Sequence, residues 1–258
     1  MNVAYFSNHF VDTHGHGIAR YVHRLYETIP KVAPEIKLTP VSSWKKKDID
    51  NYEQLQAEHG LKLLPWGRYL TALSWGYVKR PMLETWVGDS FDLVHAPNLG
   101  YPVPTRKPYI VTVHDIGPLT RPEFFSKRAI KWMKLGFDHM VEHAAAIICV
   151  SQATAEEVTS VAGDSIREKL HVIHEGVEPM FFGEPDLESL SSLRELPENG
   201  TPFCLAAGAI SPRKNVLRIV EAMEMIKDDL PHHLCMVGGS GWDAQEVFQR
   251  FKNSPIAD

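Results

Sequence analysis

Between residues 108 and 162 the chain passes twice from a short apolar run to a helical segment. PYIVTVHD (108–115) leads to FFSKRAIKWMKLGFDHMVEHA (124–144), and AIICVS (146–151) leads directly to QATAEEVTSVA (152–162). Apolar runs this short read as buried strands, and intervening helices cover the faces of a parallel sheet. The same rhythm opens the chain. NVAYFS (2–7) reads as a strand. A polar loop follows, then IARYVHRLYETI (18–29), with Ile18, Tyr21, Val22, Leu25 and Ile29 at helical spacing and Pro30 as its expected stop. IKLTPVSSW (36–44) reads as a second strand that Pro40 weakens. FDLVHA (91–96) and KLHVIHEGV (169–177) add two more strands. Residues 45–90 are less regular: a solvated segment, KKKDIDNYEQLQAEHG, precedes an aromatic-rich stretch that predicts one or two helices.

The rhythm breaks in a polar segment rich in Pro and Gly and then restarts. Strand FCLAAG, helix 215–227, strand HHLCMVGG (232–239) and helix 243–251 follow in order. The expected organisation is an α/β domain over 1–183, a linker over 184–202 and a second unit over 203–258. Two βα repeats bury little on their own, so the second unit reads as incomplete, cut off inside a domain. A 44% hydrophobic, 23% charged composition is that of a globular protein, and a net charge of −5 gives no signal for nucleic acid. Cys149, Cys204 and Cys235 all lie in apolar runs with no CxxC, which predicts reduced, core-filling thiols in a cytoplasmic protein. The N-terminus does not read as a signal peptide, and no apolar run reaches transmembrane length.

Chemistry is expected at the carboxyl ends of strands, where open α/β sheets bind ligands. Gly15 and Gly17 stand between the first strand and first helix, where glycine lets a ligand approach the backbone and the helix end offers N–H groups to an anion. This GHGIAR fails as a dinucleotide fingerprint: Arg20 replaces the third glycine, and no acid ends the second strand. His114 and Asp115 end the strand of VTVHDIGPL, where a histidine can donate to a sugar hydroxyl or phosphate. Ser151 reads as the cap of the helix after AIICVS, with a hydroxyl that can face the crevice. Asp48-Ile49-Asp50 matches the DxD of metal-dependent sugar transferases, but Lys45, Lys46 and Lys47 before it make a solvated loop the better reading. His14 and His16 are two ligands in one loop and make no metal site. In GAISPRKNV (208–216), Arg213 and Lys214 stand at a helix start, against the macrodipole. An anion such as diphosphate reverses that cost, because cations, N–H groups and dipole then address one ligand.

GHGIARY, FDLVHAP, VTVHDIGPL, AAAIICVSQAT, HVIHEGVEPMF and GAISPRKNV, in this order and spacing, resemble the family-4 retaining glycosyltransferases. The resemblance implies a GT-B fold: an N-terminal Rossmann-like domain facing the acceptor and a second Rossmann-like domain, incomplete here, for a nucleotide sugar. It implies transfer of a hexosyl group to a glycan or lipid-linked acceptor, with retention and without a metal or other cofactor. Lys214 matches the lysine of the family's diphosphate-binding pair. The arginine that often follows the glycine is Ala209 here, so Arg213 is the substitute. Gly15 and Gly17 match the donor-phosphate loop, and His114 the histidine that contacts the transferred sugar. The Glu-x7-Glu stretch of the family's second domain does not occur between residues 203 and 258, so the expectation is weak or no activity from this polypeptide alone and a separate C-terminal half as a candidate partner. The alternative is a non-catalytic homologue that binds glycan or lipid. A nicotinamide oxidoreductase fits less well, for want of the fingerprint. The aromatic segment 63–87, set among Lys62, Arg68, Lys79 and Arg80, reads either as a core helix or as a peripheral contact with the inner membrane face.

Overall fold

The computed structural model describes residues 1–11, 17–184, 201–210, 214–239 and 244–256. It divides into two compact units, Met1–Gly176 and Val177–Asp258. The residues of the expected linker from 185 to 200 lie outside those described.

In the first unit β1 (Asn2–Phe6), β2 (Lys37–Ser42), β3 (Lys62–Leu63), β4 (Leu93–Ala96), β5 (Tyr109–Val113), β6 (Ala146–Cys149) and β7 (Leu170–Val172) form one parallel sheet. The strand order is β3-β2-β1-β4-β5-β6-β7. The chain winds outward from β1 in one direction, then returns to β4 and winds in the other. Right-handed crossovers therefore place helices on both faces. α1 (Gly17–Val32) and α2 (Tyr52–His59) follow the first two strands. α3 (Gly67–Tyr77), α4 (Glu84–Val87), α5 (Gly117–Thr120), α6 (Lys127–His143) and α7 (Gln152–Ala162) follow later ones. The two-residue side-chain period of β1 sorts the core accordingly. Tyr5 packs with Phe10, Val22 and Leu55, while Ala4 and Phe6 join Trp75, Val111, Met140 and Ile147.

Local expectations met four corrections. Pro30 lies inside α1, which continues to Val32. The ring sits in the last turn on the exposed side, where only the bond that its absent N–H would make is lost. Pro40 is inside β2, yet costs no ladder bond. Val41 accepts from Ser7 on the β1 side and Ser42 from Leu64 on the β3 side, so Pro40 faces the β3 side before β3 begins at Lys62. The solvated segment contains α2, which anchors through buried Leu55 and ends at Gly60, where φ is 65°. Among the cysteines only Cys149 is core; Cys204 is exposed and Cys235 half-buried.

In the second unit β8 (Phe203–Ala207) pairs in parallel with β9 (His233–Val237). α8 (Val216–Ile226) joins them and α9 (Ala244–Lys252) follows. Ile210, Val216 and Val247 form its small core. The two strands meet at their ends through backbone: a Cβ on Gly238, at φ 152°, would stand 2.2 Å from the Gly208 carbonyl oxygen.

Candidate functional site

His114 follows β5 at the carboxyl edge of the sheet, and its ring is fixed on three sides. Nε2 donates to the Pro97 carbonyl at 3.1 Å, and Nδ1 faces a Glu175 carboxylate oxygen at 2.8 Å. The Tyr21 ring meets the imidazole edge-on, centroids 4.8 Å apart. The His114 side chain is 13% exposed and that of Glu175 45%, so the Nδ1 side is the one open to solvent. Beneath it runs a buried polar line. The Tyr21 hydroxyl lies 3.5 Å from Thr112 Oγ1, which lies 3.3 Å from His95 Nε2. Burial pushes the His95 imidazole down to about 4, so the ring is neutral at pH 7. Burial raises the Tyr21 phenol; the Thr112 bond works against that shift and the Glu175 charge adds to it.

Ser151 caps α7 by accepting from Thr154 N at 3.1 Å, and its hydroxyl lies 2.9 Å from Thr154 Oγ1. Thr154 Oγ1 in turn donates to the His114 carbonyl at 3.2 Å. A hydroxyl has one proton, so Ser151 gives its own to Thr154. Its place is therefore in the clamp that holds the His114 backbone. Asp115 accepts from Gly117 N at 3.0 Å, which shapes the turn into α5. Gly17 is the first residue of α1, and a Cβ there would meet nothing within 4 Å. Neither packing nor a positive φ requires glycine at that point. Gly15, like His14 and His16, lies outside the described residues.

A cleft of about 290 Å³ opens at the carboxyl ends of β1 and β4, where the winding reverses. Asn8 is its hub. The amide oxygen accepts from Ser42 Oγ at 3.0 Å, Ser43 N at 2.9 Å and Ser43 Oγ at 3.0 Å. The amide nitrogen donates to the Tyr101 hydroxyl at 2.8 Å, which also bonds Ser43. Trp44 donates to the Asn8 carbonyl at 3.1 Å and carries the Arg68 guanidinium 4.3 Å above its ring. The loop sequence after β1 gives no signal for this hub, because its partners lie 34 to 93 residues away. Tyr21 and Glu175, by contrast, sit inside stretches already notable in the sequence, GHGIARY and HVIHEGV.

In the second unit Lys214 folds back over the end of β8. A Cβ built on Gly208 would stand 3.3 Å from its Cε and 3.6 Å from its Nζ. Gly208, at φ 134°, leaves room for that approach. Lys214 has no carboxylate partner among the described residues. Arg213 lies outside them. Asp48 and Asp50 are exposed on either side of buried Ile49, in keeping with a solvated loop. Among the described residues no three His, Cys, Asp or Glu side chains group to hold a metal ion.

The model of Glycosyltransferase Family 4 matches residues 15–181. Serotype-specific mannosyltransferase WbdA of Escherichia coli is 26% identical in an alignment 157 residues long that covers 55% of this chain and 19% of that protein. The chain thus spans under a fifth of the length of these curated relatives. Among solved structures, Anabaena HepE in complex with UDP has a TM-score of 0.60 at 15% identity, over 100% of this chain and 67% of that one. HepE with UDP and glucose gives 0.61 at 17% identity, over 98% and 65%. At such identities the likeness is one of fold, and that fold is the GT-B type.

Proposed function

The chain belongs to glycosyltransferase family 4, and on that premise we propose that it transfers a hexosyl group from a nucleotide-diphosphate sugar to a glycan or lipid-linked acceptor, with retention of configuration. The reaction needs no resident metal or cofactor in this reading. It serves the building of polysaccharide or glycolipid at the cytoplasmic face of the membrane.

The observation that carries the proposal is Lys214: a cation without a carboxylate partner among the described residues, laid over the glycine that follows β8. With Arg213 it would receive the diphosphate of the donor, where negative charge grows as the sugar leaves. In the first unit, Gly15 and Gly17 would offer backbone N–H groups to a donor phosphate. His114 would contact the transferred sugar through Nδ1, exchanging Glu175 for a sugar hydroxyl while Nε2 stays on Pro97. Asp115 and Ser151 act through position, one shaping the turn and the other holding the His114 backbone. WbdA is named a mannosyltransferase and HepE holds UDP, so UDP and mannose-bearing GDP donors are the first to test.

Calorimetry with UDP and GDP checks the donor site. Arg213→Ala/Lys214→Ala is expected to weaken binding by about tenfold or more, as loss of charge-assisted bonds does; unchanged affinity rejects the assignment. His114→Ala is expected to cost about 100-fold in turnover with little change in nucleotide affinity. Glycan or lipid binding by the chain, with no transfer from any donor, favours a non-catalytic role instead.

A further inference from the structure

The cleft at β1 and β4 offers donors and has its acceptors occupied. The Asn8 amide oxygen already takes three hydrogen bonds, and the Tyr101 hydroxyl is held by Asn8 and Ser43. Arg68 lines the cleft with its guanidinium on the Trp44 ring, and it pairs with no carboxylate among the described residues. Burial raises the Tyr101 phenol, while the Ser43 and Asn8 bonds and the Arg68 charge work against that shift, so the guanidinium is felt across the cleft. Asn98 accepts from Ser7 Oγ at 3.1 Å through its amide oxygen, and its amide nitrogen has no acceptor among the described residues.

The charge is of one sign. No Asp or Glu stands among the described residues that line the cleft, in a chain whose net charge is −5. The first turn of α3, which carries Arg68, holds no acid either. Lys45 adds a second cation at that rim: its Cε lies 2.7 Å from where a Cβ on Gly67 would stand. At about 290 Å³ the cleft is at the small end of ligand sites, with room for one sugar ring and a substituent. Trp44, Leu99 and Tyr101 give it apolar surface for the C–H faces of such a ring. The loop after β4 joins it to His114. Ala96 and Asn98 line the cleft, and Pro97 between them accepts from His114 Nε2 at 3.1 Å.

We infer that this cleft holds the acceptor sugar and that Arg68 selects an acceptor bearing an anionic group, a carboxylate or a phosphate. The guanidinium fork takes two oxygens of either group. Asn98 Nδ2 donates to a neighbouring ring oxygen or hydroxyl. A neutral sugar leaves the guanidinium with water alone, so discrimination lies in the charge-assisted pair. The inference rests on the transfer reading only in calling this ligand the acceptor; filling the cleft needs no nucleotide.

NMR of the full chain tests it through the Trp44 indole N–H, which donates to Asn8 inside the site. The titrants are glucose, glucuronate, glucose 6-phosphate and inorganic phosphate. Glucuronate or glucose 6-phosphate is expected to shift that signal with an affinity about tenfold or more above that of glucose. The tighter of the two identifies the group as carboxylate or phosphate. Arg68→Gln should lower the anion's affinity to that of glucose; Arg68 is exposed, and circular dichroism confirms the fold. Glucose bound as tightly as both anions, anion binding undiminished in Arg68→Gln, or no shift with any sugar overturns the inference. So does inorganic phosphate that binds as well as glucose 6-phosphate, because the sugar then contributes nothing. Calorimetry with UDP and GDP keeps the two readings apart: absent nucleotide binding with a loaded cleft strikes the transfer reading, and an empty cleft with nucleotide bound strikes this one.

Discussion

Two buried histidines carry a pH response of definite sign. His95 and His139 are both pushed down to about 4, His95 by burial and His139 by burial together with the charge of His143. Unfolded, each returns to about 6.5. Between those values the unfolded chain binds more protons, so stability is full above about pH 6.5 and declines as pH falls toward 4. His95 alone contributes about 3 kcal/mol over that window. Urea midpoints at matched ionic strength should fall from about pH 6.5 to about pH 4.5. By NMR the His95 ring should show no titration between about pH 5.5 and 8; a midpoint near neutrality for that ring contradicts the neutral Tyr21–Thr112–His95 line. Ser151 offers a second single-residue test. Ser151→Ala removes a helix cap and the donor to Thr154, at about 1 kcal/mol. If the clamp acts on His114, the variant also loses turnover while nucleotide affinity holds.

At the scale of elements, α6 and the loop after β4 touch backbone to backbone at one point, beside the Trp132–Tyr101 and His139–Val103 side-chain contacts. A Cβ on Gly136 would stand 1.7 Å from the Gly100 carbonyl oxygen. No rotamer relieves that overlap, so Gly136→Ala is expected to cost about 3 kcal/mol, read as a lower thermal midpoint. The sequence does not announce this glycine, which sits mid-helix in KLGFD like a tolerated exception. What was legible were elements with long period: the strands of VTVHD and AIICVS, α6, α7 and the βα repeat of the second unit. β3 was not, because two residues carry no period, nor was α2, whose helix-forming residues bury only Leu55. Among the candidate residues, His114 was readable from a strand end in the first unit and Lys214 from a helix start in the second. Asn8 was not, since its role exists only once β1, β2 and β4 lie side by side. Glu175 lay in a quoted motif, but its partner is 61 residues away.

For the molecule as a whole, burial is uneven between the units. β1 is buried from Val3 onward and β5 almost throughout, whereas four of the five residues of β8 are exposed. Amide hydrogen exchange should therefore protect β1, β4 and β5 most and β8 and β9 least; equal protection in both sheets would contradict this ordering. The reversal of winding at β1 also has a consequence in time. β1 takes its first neighbour at residues 37–41 but its second only at residues 93–95. During synthesis at about 5–20 residues per second, one edge of β1 therefore waits roughly 5–20 s for its partner. The nascent chain carries an unpaired strand edge through that interval, and the ribosome and its attendant chaperones are what stand beside it until β4 arrives.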